Sequence, residues 1–195
     1  ALLPSNSVPP SVTGLLQDGQ LLSAVAGTWS GTAPISYGYQ WQVCNAAGES
    51  CKDLAKATEA TLKLDPTLVG STLRMVVTAT NSAGSVSAAS AVTSLVTAIL
   101  PVNTALPTIS GLLKLGSLLS ATTGTWTGTP TITYSYQWQS CSLLKTECKN
   151  LLGATNPTLL LEGLLNLTVR VVVTAKNAAG SSAPASSSIT SIIGL

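Results

Sequence analysis

The sequence predicts an all-β protein built as two tandem antiparallel sandwiches, and three observations carry that prediction. The 195-residue chain is one unit written twice. Its apolar residues alternate with polar ones at a period of two, the spacing of a half-buried strand, and not at the 3.6 of a helix. Gly, Pro and Asn punctuate these runs at short intervals and leave no convincing helix.

The repeat is read by sliding the sequence along itself. A shift of 97 overlays Gly27-Thr28-Trp29-Ser30-Gly31 on Gly124-Thr125-Trp126-Thr127-Gly128. It also overlays Tyr37-Gly38-Tyr39-Gln40-Trp41-Gln42 on Tyr134-Ser135-Tyr136-Gln137-Trp138-Gln139, and Cys44 and Cys51 on Cys141 and Cys148. After a one-residue deletion the shift is 96, and the run from Leu73 to Ala79 meets that from Val169 to Ala175, with Asn81 and Gly84 meeting Asn177 and Gly180. Roughly half of the aligned positions are identical, far above chance.

Taken in order, the first copy predicts a short strand near 11–14, then strands near 20–27, 34–44, 51–55, 59–65, 71–81 and 85–96, and the second copy repeats them. Tyr37, Tyr39 and Trp41 share one face of the third, with Ser36, Gly38, Gln40 and Gln42 on the other. In the long strand Leu73, Met75, Val77 and Ala79 face inward and Arg74 and Thr78 outward. Seven short antiparallel strands in about 90 residues fit an immunoglobulin-like sandwich. The Leu-rich runs Leu159-Leu160-Leu161 and Leu164-Leu165 conflict with strand propensity. Alternation resolves them by turning some leucines outward, as Lys63 lies between Leu62 and Leu64 in the first copy.

Residues 1–9 resemble residues 98–106: Leu3-Pro4-Ser5-Asn6-Ser7 is matched by Leu100-Pro101-Val102-Asn103-Thr104. Because proline fixes φ and favours extended, semi-rigid chain, both segments read as linker. The expected organisation is an N-terminal arm over 1–9, a first domain over 10–97, a Pro-containing linker over 98–106 and a second domain over 107–195, each folding by itself.

Composition excludes several function classes. Charged residues make up 8% of the chain, the net charge is +2, and nine basic residues are scattered singly. Nucleic-acid binding needs them clustered, so no nucleic-acid partner is expected. Mean hydropathy is +0.42, yet no apolar run approaches the ~18 residues of a membrane span, so no membrane insertion is expected. With no His and seven carboxylates, general acid–base chemistry has no identifiable constellation. Asp65 and Glu162 match each other but read as turn caps. The sequence predicts no enzyme, with catalytic, cofactor and metal residues all absent.

Each copy places a cysteine pair, six residues apart, just after its Trp strand. Zinc would need four convergent ligands; a disulfide closing a hairpin, Cys44–Cys51 and Cys141–Cys148, fits better and puts the protein outside the cytoplasm. Trp41 and Trp138 read as buried core. Trp29 and Trp126, each between glycines, read as plugs of the sandwich end, with a sugar-stacking ligand platform as the alternative. Asn166-Leu167-Thr168 is the one N-x-S/T sequon, making Asn166 a candidate glycosylation site. The Ser/Thr-rich stretch 181–190 is a candidate for O-linked sugars, although a last strand of that composition needs none.

The combined pattern, Gly-Thr-Trp-x-Gly, then Tyr-x-Tyr-Gln-Trp-Gln-x-Cys, then Leu-Arg-x-Val-Val-Thr-Ala-x-Asn-x-x-Gly, resembles the tandem immunoglobulin-like repeats of bacterial secreted and surface proteins. The resemblance covers the chain from about Pro10 onward. It departs near residues 162–167, where Asn166 stands in place of Gly70. It implies extracellular or cell-surface spacers, stalks or adhesive modules with no catalytic residues to transfer. The expected function is therefore a structural or adhesive repeat protein, a spacer or the repeating unit of a surface fibre. The alternative is a carbohydrate-binding accessory module using Trp29 and Trp126, with a glycan as partner. Sparse charge, outward leucines such as Leu143 and Leu144, and an arm whose Leu2 and Leu3 are free to pair with a neighbour's sheet edge lead to one further expectation. The chain self-associates into a linear assembly or forms part of a longer covalent array.

Overall fold

A computed structural model describes residues 1–144 and 147–195. The chain divides into two units, Ala1–Ala98 and Ile99–Leu195, each an immunoglobulin-like antiparallel sandwich.

In unit 1 the strands are β1 (Ser5–Val8), β2 (Ser11–Thr13), β3 (Leu21–Val25), β4 (Thr28–Ser30), β5 (Ser36–Cys44), β6 (Lys52–Asp53), β7 (Thr61–Lys63), β8 (Thr72–Asn81) and β9 (Gly84–Ala89). A sheet of order β2-β3-β7 faces one of order β6-β5-β8-β9, and β1 pairs with β4. Inward residues from both sheets meet in one core: Leu22, Trp41, Leu64, Leu73, Met75 and Val77 are all but inaccessible. The β5–β8 ladder pairs Trp41 with Met75 and Tyr39 with Val77, so the period-two face of each strand becomes one wall of that core.

Unit 2 repeats the plan with β10 (Val102–Ala105), β11 (Ile109–Ser110), β12 (Leu118–Ala121), β13 (Thr125–Thr127), β14 (Thr133–Cys141) and β15 (Cys148–Asn150). It continues with β16 (Thr158–Leu160), β17 (Thr168–Asn177), β18 (Gly180–Ser181) and β19 (Ala185–Ser186). Its core gathers Leu119, Trp138, Leu161, Val169, Val171, Val173 and Ile193. The leucine run resolves by alternation: Leu159 and Leu161 are buried while Leu160 is exposed.

The segments expected as an arm and a linker are the first strand of each unit. Residues 5–8 pair with β4 and residues 102–105 with β13, so 1–9 is no free arm and 98–106 no linker. The physical reason is that the pairing survives the prolines. The β2–β3 pairing, Ser11 opposite Val25, continues in step across Pro9-Pro10 to Val8 opposite Thr28. Prolines interrupt this ladder because they lack a donor, yet the strand resumes beyond them. Asn81 pins the start: its side-chain amide donates to the carbonyls of Leu2 (2.7 Å) and Thr32 (2.9 Å). Asn177 does the same to Ile99 (2.7 Å) and Thr129 (2.8 Å). Leu2 and Leu3 are therefore engaged within their own unit. The connection is correspondingly short: Thr97 N–H donates to Leu16 O in unit 1, and Ile99 N–H to Thr129 Oγ1 in unit 2.

The last strand also ends earlier than expected, at Ala89, but the chain continues along β8 with hydroxyls standing in for carbonyls. Ser90 N–H donates to Met75 O while Ser90 Oγ accepts from Met75 N–H, and Thr93 repeats the exchange with Leu73. Ser187 and Thr190 do so with Val171 and Val169. This edge uses Ser187 and Thr190, and Ser182 makes the same exchange with Ala175, which gives three of the hydroxyls in 181–190 a structural role. In unit 2 the last strand splits into β18 and β19. Val172 meets Ser186 where Val76 meets Ala89, one residue further along, with Pro184 in the interruption. That extra residue offsets the deletion noted in the sequence, which falls where unit 1 has a 3₁₀ turn, Pro66–Leu68.

Candidate functional site

Each repeated motif residue is set in place by its own unit. The cysteines close the β5–β6 and β14–β15 hairpins: Cys44–Cys51 and Cys141–Cys148 are bonded, with S–S distances of 2.02 and 2.06 Å and Cα atoms 4.0 Å apart. Inside the first hairpin Asn45 Oδ1 accepts from the N–H groups of Ala47 and Glu49, an Asx-type turn that holds the cysteine strands in register.

Trp29 lies on β4 and is half-buried, packed against the core. Its indole N–H donates to Ala26 O at 2.8 Å, and its ring is 6.4 Å from that of Tyr37, tilted by 50°. Trp126 mirrors it on β13, donating to Thr123 O at 2.7 Å with Tyr134 6.3 Å away. The tyrosines are the open half of each pair, Tyr37 and Tyr134 being 42% and 39% exposed. Trp41 and Trp138 are fully buried and donate to the carbonyls of Glu59 and Asn156, both at 2.9 Å.

The glycines beside Trp29 matter in a way the sequence did not make plain. A Cβ on Gly27 would lie 2.1 Å from Val8 O, and one on Gly124 2.2 Å from Ala105 O. Both glycines have positive φ, 80° and 75°. They make room for the first strand, so the Gly-Thr-Trp motif is the seat of β1 and β10. Its recurrence in both copies, at a fixed distance from Asn6 and Asn103, is the signal that points there. Asn6 closes the seat by donating to Val8 O and Thr28 O, and Asn103 to Ala105 O and Thr125 O.

The remaining candidates are placed as follows. Asp65 caps the 3₁₀ turn, its Oδ1 accepting from Thr67 N–H at 2.8 Å; Glu162 lies in a bend without that helix, its backbone N–H donating to Leu160 O. Asn166 is exposed with φ 62°, where Gly70 has 82°, and its N–H donates to Ile193 O. The sequon's Thr168 is buried and donates to Cys141 O. On the outer face Arg74 Nε donates to Gln42 Oε1 and Gln42 Nε2 to Asp53 Oδ1, a chain repeated by Arg170, Gln139 and Asn150.

Two surface grooves accompany these features. One, in unit 1, runs between the Asn45 turn and the final segment, walled by Ala46, Ala47, Gly48, Val92 and Leu95. The other, in unit 2, separates β10 from the split last strand, walled by Leu100, Val102, Leu106, Ala183 and Pro184. Neither wall carries an ionisable side chain. Among the described residues no group of three His, Cys, Asp or Glu side chains is placed to hold a metal, and no helix is long and apolar enough to cross a membrane.

The strand order and cores define a class: a tandem immunoglobulin-like protein with one hairpin disulfide per unit. No protein-family model and no curated protein matches the chain. Among solved structures it is similar to domains A168–A170 of titin, at 18% identity and a TM-score of 0.38, covering 96% of this chain and 67% of that one. It is also similar to the chicken interferon gamma receptor alpha chain, at 9% and 0.40, covering 98% and 100%. A third is the three N-terminal domains of the bacteriophage RB49 highly immunogenic outer capsid protein, at 13% and 0.33, covering 95% and 69%.

Proposed function

We propose that the chain is an extracellular structural or adhesive repeat protein, a spacer or the repeating unit of a surface fibre. The observation that carries this reading is where the repeated residues go. Gly27, Trp29, Trp41, Asn81 and the cysteines, with their unit 2 counterparts, all act on their own sandwich, holding the first strand, filling the core or closing a hairpin. What is duplicated is scaffold. Two disulfides suit an oxidising, extracellular setting, since reducing compartments keep thiols free. The linear-assembly reading keeps its support from low charge and outward leucines, but not from a free N-terminal arm.

The test is the native protein's place and size. Surface-exposed protein with both disulfides intact by non-reducing peptide mapping is expected, in rods or filaments by electron microscopy. A ~20 kDa band from filaments marks a non-covalent polymer, and a much longer polypeptide a covalent array. Cytosolic protein with reduced thiols refutes the reading. The carbohydrate alternative is favoured by one observation, the exposed tyrosine rings beside Trp29 and Trp126. Glycan-array binding lost in both Trp29→Ala and Trp126→Ala would establish it in place of the scaffold reading.

A further inference from the structure

The two units hold their first strands by matching contacts. β1 meets β4 and β10 meets β13 in one register, with the same irregularity after Asn6 and after Asn103. At the outer end Leu2 N–H donates to Thr32 Oγ1 at 2.7 Å, and Thr32 N–H donates to Leu2 O at 3.1 Å. Ile99 and Thr129 repeat this exchange at 2.8 and 3.1 Å. An added Cβ on Gly31 would stand 3.0 Å from Leu3 O, and one on Gly128 3.0 Å from Leu100 O. Pro4 and Pro101 are buried at matching places. Both seats therefore fit one pattern, Leu-Pro-x-Asn-Ser/Thr, and the chain carries that pattern twice.

We propose that unit 1 exchanges this strand between copies: β1 of one molecule leaves its own β4 and takes the seat on a second molecule, whose strand takes the seat on the first. Three observations point there. β1 is tied on by hydrogen bonds more than by burial, Leu2, Leu3 and Val8 being 75%, 53% and 52% exposed, so it belongs to the part of the fold that opens most readily. Its ladder is already interrupted at Pro9-Pro10, which have no N–H to continue it, so release stops there and leaves β2 paired with β3. The same prolines keep a freed strand extended, so that it reaches outward instead of curling back. The seat itself selects the occupant. Every bond that β1 makes at home it makes again on a neighbour, so exchange sacrifices no contact, only the independent motion of the two molecules.

A neighbour's strand competes with the molecule's own, whose effective concentration on so short a tether is about 1 mM. Exchange therefore becomes appreciable where copies are crowded to that degree. The inference goes beyond the proposed function, because a spacer needs no exchange and exchange needs no spacer. Its failure would leave that reading standing, since the latter is tested by the protein's location and oxidation state.

Two single variants of the full chain read the exchange directly. Ser5 and Ser30 are partners across β1 and β4, so a Ser5→Cys copy and a Ser30→Cys copy are set to join when β1 of the first lies on β4 of the second. The two are mixed, unfolded in guanidinium at low pH, where thiols do not reshuffle, then refolded together and oxidised in air. Peptide mapping should find dimers linked between positions 5 and 30, with a yield at least about tenfold higher from refolding at about 1 mM than at about 10 µM. An excess of synthetic peptide 1–9 should suppress the link, and peptide 98–106 should serve as well, because both fit one seat. Peptide 1–9 carrying Asn6→Ala should suppress it less. Adding Gly27→Ala to the Ser30→Cys copy closes the seat to any strand and should abolish the link. Gly19→Ala, with the same φ of 80° and open space around it, should leave it. Absence of the link at the higher concentration, a link that survives Gly27→Ala, or dimers joined 5 to 5 and 30 to 30 in its place would overturn the proposal.

Discussion

Substituting Gly27 by Ala tests whether the first strand belongs to the sandwich. Two terms act. The left-handed backbone, φ 80°, costs an L-residue about 1–2 kcal/mol, partly offset by about 0.4–1 kcal/mol from the stiffer unfolded chain. Gly19 isolates that term, with the same φ of 80° and no atom within 4 Å of an added Cβ, so Gly19→Ala is expected to cost about 1 kcal/mol. At Gly27 the new methyl would sit 2.1 Å from Val8 O and 2.8 Å from Pro9 C. These are backbone atoms with no rotamer to escape into, so β1 must leave β4. The loss then includes the β1–β4 ladder and the two bonds of the Asn6 amide, at about 0.5–1.5 kcal/mol each. The total is about 3–5 kcal/mol, a large part of a domain's usual 5–15 kcal/mol. Calorimetry on the full chain reads it. The units have separate cores, so Gly27→Ala should lower one transition by roughly 15–25 °C and leave the other in place. Gly124→Ala should do the converse, and hydrogen exchange at 5–8 should accelerate. Equal costs for Gly27→Ala and Gly19→Ala would refute the seat.

Three further outcomes follow from the same geometry. Removing one disulfide as Cys44→Ala with Cys51→Ala should cost unit 1 about 2.5 kcal/mol, the chain-entropy value for an eight-residue loop; a urea midpoint unchanged from wild type would contradict this. Trp138→Phe removes the N–H that satisfies Asn156 O and opens space in a fully buried site, so unit 2 should lose about 2–4 kcal/mol; a urea titration showing less than about 1 kcal/mol would mean the site repacks freely. Asn177→Ala deletes the amide that grips Ile99 and Thr129 at about 2 kcal/mol. Amide exchange should then speed up at 99–105 and not at the matching 2–8, and uniform acceleration would count against a local clasp.

The alternation of Tyr39 and Trp41, and of Leu73 to Ala79, made the core strands legible, because a two-residue period leaves a strand facing one core little choice. The first strand was hidden by its prolines. Local rules treat Pro9-Pro10 as a break, and only the partner strand, with its missing Cβ at Gly27, shows the ladder resuming on the far side. That dependence lies between residues 19 positions apart, where a local pattern carries no trace of it. The hydroxyl-for-carbonyl exchange at Ser90 and Thr93 was invisible for a related reason: composition shows Ser and Thr, but not that their oxygens replace a neighbouring ladder. At the candidate site, the motif around Trp29 was conspicuous while its purpose was not. Its Gly27 answers to Val8 O, its Gly31 to the backbone of Leu3 and Pro4, and its indole to Ala26 O three residues before it.

The anchoring of each unit's ends has a mechanical consequence. In unit 2 Ile99 is fastened beside Thr129, just past β13, while Gly194 is fastened to Leu113 and Leu115 in the turn between β11 and β12. In unit 1 Leu2 at Thr32 and Thr97 at Leu16 occupy the same two poles. A pull on the chain therefore enters one pole of a sandwich and leaves by the other, along its strands. Ladder bonds lie across that direction, so tension slides strands past one another and loads many bonds at once, where a pull from one edge would open them singly. Each unit resists being drawn out from its own ends, and the clasp at Asn81 or Asn177 is among the first contacts to feel the load.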